Sequence, residues 1–171
     1  MKASGPALAR SSLFLAVAVF VSTCISPGDI INPVFGCAKV NPEALKHVNW
    51  TRVPEINVRI RHDEFSPMVI RMRQGWPYVF RLRNRDDAGH TFSAGDFFRR
   101  VAIIQKSIGG EVEENPCFGS IWVPPRQTVE LRLVAVVDGR YEFEDNPVYI
   151  FGGFMDGPNG VIIIEERRPR I

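Results

Sequence analysis

The stretch Tyr78-Val79-Phe80-Arg81-Leu82-Arg83 decides the fold class, because apolar and charged side chains alternate along it. Residues 56–61 alternate in the same way, and Val69–Arg73 does so less regularly. Successive side chains of a β-strand point to opposite faces, so a period of two predicts strands with one buried and one solvated face. The turn residues Gln74-Gly75-Trp76-Pro77 separate two of these strands. The pattern is typical of an antiparallel sandwich.

The rest of the chain continues with short apolar stretches and turn residues between them. Further strands are predicted at residues 101–105, 120–123, 128–136, 140–144 and 161–165. One short helix is predicted near 43–47, and 94–100 is predicted to be a loop or one helical turn. Many short strands with regular turns predict an all-β sandwich or barrel in one domain.

Composition and charge exclude some partners. The 171 residues contain 21 Lys and Arg against 19 Asp and Glu, and 45% of residues are hydrophobic. Two of the basic residues, Lys2 and Arg10, lie within the first 24, and removing them leaves 19 basic residues against 19 acidic. A neutral chain gives no electrostatic reason to expect nucleic acid or an anionic membrane as a partner.

Residues 1–24 have the pattern of a signal peptide. Lys2 and Arg10 precede a nine-residue apolar run at 13–21, and small residues follow up to Cys24. The run is short for a membrane span, so the sequence predicts cleavage and a periplasmic or secreted protein. A lipoprotein anchored to a membrane through Cys24 is an alternative, and an uncleaved anchor is another.

Two cysteines remain after the predicted leader. An even pair in an oxidising compartment predicts a disulfide between Cys37 and Cys117, while two unpaired buried thiols are the alternative. Residues 25–52 are rich in Pro and Gly and are predicted to be an N-terminal arm or linker. The main domain is predicted to cover 53–171.

Several phrases in residues 54–166 resemble the cupredoxin family, in matching order. They include Phe65-Ser66-Pro67 before a strand, His90-Thr91-Phe92, Gly139-Arg140-Tyr141-Glu142-Phe143 and a closing strand at 160–165. The resemblance implies a cupredoxin-like Greek-key β-sandwich of seven or eight strands. It also implies a copper ion held by two His, one Cys and often a weak Met.

The resemblance breaks at the copper ligands. His90 corresponds to the first copper histidine, but the cysteine position holds Asp145 and the second histidine is absent. The expectation is a degenerate, non-thiolate site for copper or another divalent ion, with His90 as imidazole, Asp145 as oxygen and Met155 as weak axial ligand. Two further candidates, His62 and Glu64, stand two apart and share one strand face if the strand continues.

A metal-free interaction module is the alternative function. In that hypothesis the loops at 90–98 and 147–154 contact a partner protein through their phenylalanines. These are Phe92, Phe97, Phe98, Phe151 and Phe154. The sequence contains no Gly-x-Ser-x-Gly, phosphate loop, His-Glu-x-x-His or Cys-x-x-Cys motif, so an enzyme is not expected.

Overall fold

The computed structural model describes residues 30–31, 36–145 and 159–167, in which two β-sheets pack face to face. The six-stranded sheet has the order β4 (Glu64–Ser66), β3 (Glu55–Arg61), β6 (Pro77–Asn84), β11 (Thr128–Ala135), β8 (Val101–Ile108) and β9 (Glu111–Glu114). The five-stranded sheet has the order β10 (Ser120–Val123), β7 (His90–Ser93), β12 (Gly139–Asp145), β13 (Asn159–Glu165) and β5 (Val69–Arg73). Outside the sheets lie the pair β1 (Ile30–Ile31) and β2 (Lys39–Val40) and the helices α1 (Pro42–Leu45) and α2 (Gly95–Arg100).

The predicted all-β sandwich is confirmed, with two corrections. The two sheets contain eleven strands in the described residues instead of seven or eight, since short edge strands such as β9, with three glutamates and one exposed valine, have no buried apolar alternation. The sheets are also mixed, because β3 runs parallel to β6 and β13 runs parallel to β5. Alternation reports which face of a strand is buried but carries no information on strand direction.

Aromatic side chains fill the core between the sheets. Phe92 stacks on Phe143 with ring centroids 4.8 Å apart, and the edge of Phe65 meets Phe143 at 5.2 Å. These rings are buried. Phe92 lies two residues after His90 and Phe143 two residues before Asp145, so the same alternation that buries the rings directs both polar residues inward. The core therefore fixes the strands that carry the predicted ligands.

Part of the predicted N-terminal arm packs on the outside of the six-stranded sheet. Ala38 and Val40 lie against the buried side chains of Ala102 and Val134. The predicted disulfide between Cys37 and Cys117 is confirmed, with their Cα atoms 5.6 Å apart. It ties the arm to the segment between β9 and β10. The arm boundary at residue 52 stays a prediction.

The predicted leader and the anchoring cysteine Cys24 lie outside the described residues. Within the described ranges, no helix is long and apolar enough to cross a membrane. Disulfides are typical of proteins in oxidising compartments, so the bridge favours an environment outside the cytoplasm.

Candidate metal site

Two adjacent strands bring His90 and Asp145 together. His90 begins β7 and Asp145 ends β12, and the strands pair antiparallel so that Asp145 lies opposite Phe92. Both side chains are buried, with exposed fractions of 4% and 7%. His90 Nδ1 lies 2.5 Å from Asp145 Oδ2, and the Thr91 backbone N–H donates to Asp145 Oδ1 at 2.9 Å. A carboxylate accepts hydrogen bonds, so Nδ1 carries the proton of this bond.

The opposite edge of the imidazole faces two more carboxylates. His90 Nε2 lies 3.2 Å from Asp86 Oδ2 and 3.9 Å from Asp63 Oδ1. One ligating atom from each of these three residues lies within 4.8 Å of the other two. Asp63 is 83% exposed, so this edge of the histidine opens to solvent. Because Nδ1 holds its proton against Asp145, the Nε2 of a neutral ring is a lone pair beside two negative charges.

A tight turn places Asp63 beside the histidine. His62 and Asp63 connect β3 to β4 with φ of 54° and 58°, the left-handed conformation that both central residues of a type I′ turn adopt. The Asp86 carboxylate accepts both turn amides, from the His62 N–H at 2.9 Å and the Asp63 N–H at 3.3 Å. These bonds, the His62 bond first, hold the pKa of Asp86 below its usual value, although partial desolvation opposes them. Asp86 is therefore ionised at neutral pH.

Asn84 holds the loop that carries Asp86. Its side chain is buried, and its amide donates to the carbonyl oxygens of Ala88, Val123 and Pro124 at 2.7 to 3.1 Å. Its Oδ1 accepts the Asp86 N–H at 2.8 Å. The residue at the end of β6 therefore fixes the path of the chain between Asp86 and His90.

The donor set does not fit a blue copper centre. Both cysteines of the described residues, Cys37 and Cys117, are bonded to each other, so neither supplies a thiolate. An ion about 2.0–2.2 Å from both an imidazole nitrogen and a carboxylate oxygen holds those atoms roughly 2.9 Å apart or more. The 2.5 Å between Nδ1 and Asp145 is instead a direct hydrogen bond. The Nε2 edge has a nitrogen and oxygen donor set suited to Zn²⁺, Cu²⁺ or another divalent ion.

The structure thus brings together His90 and Asp145, two of the three residues that the sequence predicts as metal ligands. Met155 lies outside the described residues, and the role of Asp145 as a direct ligand stays a prediction. Asp63 and Asp86 were not recognised as a pair around His90. Two signals were available in the sequence. Asp86 stands four residues before His90, and the pair His62-Asp63 stands between two strands. His and Asp tolerate the positive φ of a tight turn, so that pair is suited to join the strands.

The aromatic residues expected at the site are core residues where they are described. Phe92, Phe97 and Phe98 are fully buried, so their rings do not line the surface. Residues 147–154, the other half of the predicted contact, lie outside the described residues.

The strand pairing defines a cupredoxin-like sandwich, and its described residues bring a buried histidine together with three carboxylates. No protein-family model and no curated protein sequence matches the chain. Among solved structures, the chain is similar to a multicopper oxidase from Campylobacter jejuni at 12% identity and a TM-score of 0.43. A multicopper oxidase from Pediococcus acidilactici shows 14% identity and a TM-score of 0.49. A reduced, Cu(I) form of an amicyanin mutant shows 15% identity and a TM-score of 0.37.

These similarities concern the fold alone. The similar region covers 67% of this chain for each of the two oxidases. It covers only 30% and 27% of the oxidase chains, so this chain spans less than a third of their length. For amicyanin they include 65% of this chain and 82% of the other. The two-sheet strand pairing of the chain itself carries the predicted cupredoxin-like fold, and the chemistry of those proteins is not thereby that of this one.

Proposed function

We propose that the protein binds a divalent metal ion outside the cytoplasm, through His90 Nε2 and the carboxylates of Asp86 and Asp63. The observation that carries this proposal is the lone-pair edge of a buried histidine facing two carboxylates. Such an edge attracts a cation, and nitrogen with carboxylate oxygen is a common donor set for Zn²⁺ and Cu²⁺. The Cys37–Cys117 disulfide supports a location in an oxidising compartment.

In this proposal Asp145 holds the histidine and does not touch the metal. Metal-binding histidines usually donate their second N–H to a carboxylate or carbonyl, which fixes the tautomer and the ring orientation. The Nδ1 contact with Asp145 is of this kind, and the Thr91 N–H holds the carboxylate in turn. The function is binding, in metal handling or in support of electron transfer, and no catalytic step is proposed.

The alternative is a metal-free interaction module, and a specific observation favours it as well. Asp86 already accepts two backbone N–H groups, and both ring nitrogens of His90 have carboxylate partners. With a proton on Nε2, the histidine becomes a cation that satisfies the carboxylates without a metal. The network would then be a structural element at the end of a scaffold that contacts a partner protein.

Calorimetric titration of the chelator-treated protein with Zn²⁺ and with Cu²⁺ separates the two functions. The proposal expects about one ion per chain, no strong blue colour with Cu²⁺, and no binding in His90→Ala. Asp63→Asn is the sharpest variant, because Asp63 is exposed and its substitution leaves the buried network in place. We expect at least about tenfold weaker binding, which corresponds to 1.4 kcal/mol.

Glu142→Gln is the matched control. Glu142 is an exposed carboxylate on the outer face of β12 in the five-stranded sheet, whereas the turn that carries Asp63 joins two strands of the six-stranded sheet, so its substitution should leave affinity unchanged. Absence of binding for both ions would refute the metal function and leave the interaction module. Binding that persists at full strength in His90→Ala would place the metal elsewhere and also refute the proposed ligands.

A further inference from the structure

Four arginines stand side by side on the outer face of the six-stranded sheet. Arg59 on β3 lies opposite Arg83 on the parallel strand β6. The next outward residues are Arg61 and Arg85, and the Arg85 backbone N–H donates to Ile60 O at 2.8 Å. All four side chains are exposed, because they alternate with buried neighbours along each strand. Two rows of like charge therefore face each other across one strand spacing of about 4.8 Å.

No carboxylate of the described residues forms an ion pair with any of these four arginines. Other cations of the chain do have such partners, as Arg81 with Glu130 and Arg126 with Asp87 show. Glu64 lies opposite Arg61 in the β3–β4 pairing, yet no ion pair joins them. Like charges on directly opposite strand positions are destabilising. The loss of surrounding water, followed by the charges of the neighbouring arginines, lowers the pKa of Arg85.

Three of these four arginines line a cavity of about 600 Å³. Its walls include Arg59, Arg61 and Arg85 together with Arg126, and the polar side chains of His62, Glu64 and Ser66 complete it. Guanidinium groups match the geometry of phosphate and related oxyanions through two parallel N–H donors. Among the described residues, Arg59, Arg61 and Arg85 have no ion-pair partner, whereas Arg126 pairs with Asp87 and Glu64 is the one carboxylate of the lining. The excess of positive charge in this concave space suits a multiply charged anion.

We propose that this arginine groove binds an oxyanion of the phosphate class. The ligand neutralises the repulsion between the rows on β3 and β6 and accepts charge-assisted hydrogen bonds from their guanidinium groups. A free phosphate and the headgroup of an anionic phospholipid carry the same chemistry. The groove is separate from the metal site, because the His62–Asp63 turn directs Asp63 toward His90 while His62 lines the groove.

The test uses the protein in a chelator, so that metal binding plays no part. Thermal unfolding is followed in sodium chloride and in sodium phosphate or pyrophosphate at equal ionic strength. We expect phosphate and pyrophosphate to raise Tm above the chloride value, since a ligand of the folded state stabilises it. Calorimetric titration with pyrophosphate then gives the affinity directly.

The variant is Arg59→Gln/Arg61→Gln, and the control is Arg140→Gln. Arg140 is an exposed arginine of the other sheet, outside the groove. The double variant should lose the response to phosphate and bind pyrophosphate at least about tenfold more weakly. In dilute chloride its Tm should be equal to or above the wild-type value, because the substitution removes repulsion. If the arginines had only a structural role, the double variant would have a Tm below the wild-type value in dilute chloride.

Vesicles of phosphatidylcholine with and without phosphatidylglycerol distinguish the two sources of the ligand. Retention by the anionic vesicles alone, lost in the double variant, identifies a lipid headgroup, whereas pyrophosphate binding without vesicle retention identifies a soluble anion. A Tm response to phosphate that is the same in the wild type and the double variant would overturn the proposal. So would the absence of any response to phosphate, pyrophosphate or anionic vesicles.

Discussion

The substitution Asp145→Ala tests the most buried polar interaction of the site. It removes the acceptor of His90 Nδ1 and of the Thr91 N–H, and both donors then lie in a region where His90 is 4% exposed. Each unsatisfied buried donor costs about 1–3 kcal/mol, so the loss of both acceptor contacts costs about 4 kcal/mol as a central value. We therefore expect the free energy of unfolding to fall by about 3–5 kcal/mol in urea denaturation at pH 7.

A milder variant and a control sharpen this measurement. Asp145→Asn keeps an oxygen for the Thr91 N–H and offers its amide to a His90 ring protonated on Nε2, so we expect a loss of only about 1.5–3 kcal/mol. The control is Glu165→Gln, which breaks the exposed 3.3 Å pair with Arg71 and should cost about 0–1 kcal/mol. If Asp145→Ala were no more costly than this control, the buried hydrogen-bonded pair would be refuted, and with it the fixed histidine tautomer.

Two further predictions concern the disulfide and the pH dependence of stability. The Cys37–Cys117 bridge spans 80 positions, so the loop-closure model gives a loss of about 4.5 kcal/mol for the double serine variant; unchanged urea stability would contradict it. The lowered pKa of Asp86 stabilises the fold above its unfolded pKa, and this contribution is lost as pH falls through the folded pKa. In chelator, wild-type stability should therefore fall more steeply than that of Asp86→Asn between about pH 5 and pH 2, while Glu142→Gln, at an exposed carboxylate of β12, should follow the wild type closely.

Most of the fold follows from local patterns in the sequence. Apolar and charged alternation along β6 predicted a half-buried strand, and the family resemblance predicted that this strand belongs to a β-sandwich. The strands that escaped prediction lack such a pattern. β9 is formed by Glu111–Glu114, whose pairing with β8 depends on backbone hydrogen bonds at a sheet edge and leaves every side chain exposed. Backbone pairing of this kind leaves no trace in hydrophobic periodicity.

The site was only half predictable, for a different reason. His90 and Asp145 were found because the resemblance gave each a position at the end of a strand. Asp63 reaches the histidine through a turn 27 positions earlier in the chain, and that turn depends on two N–H bonds to Asp86. The contact between Asp63 and His90 depends on strand order and register. The turn after β3 meets the loop after β6, which carries Asp86, only because β3 lies beside β6. No spacing rule within one segment expresses it.

The arginine groove was not predicted, because the net charge of the chain is close to zero. Near-neutral totals argued against an anionic partner, yet the total does not specify where the charges lie. Parallel pairing of β3 with β6 sets Arg59 against Arg83, while the carboxylates that balance them in the count stand elsewhere, with Asp63 and Asp86 around His90. One two-residue turn thus divides a negative pocket from a positive groove. Under the two proposals, opposite charges this near are held apart by backbone geometry instead of being paired, and each potential serves a ligand of opposite sign, a cation at the histidine and an oxyanion among the arginines.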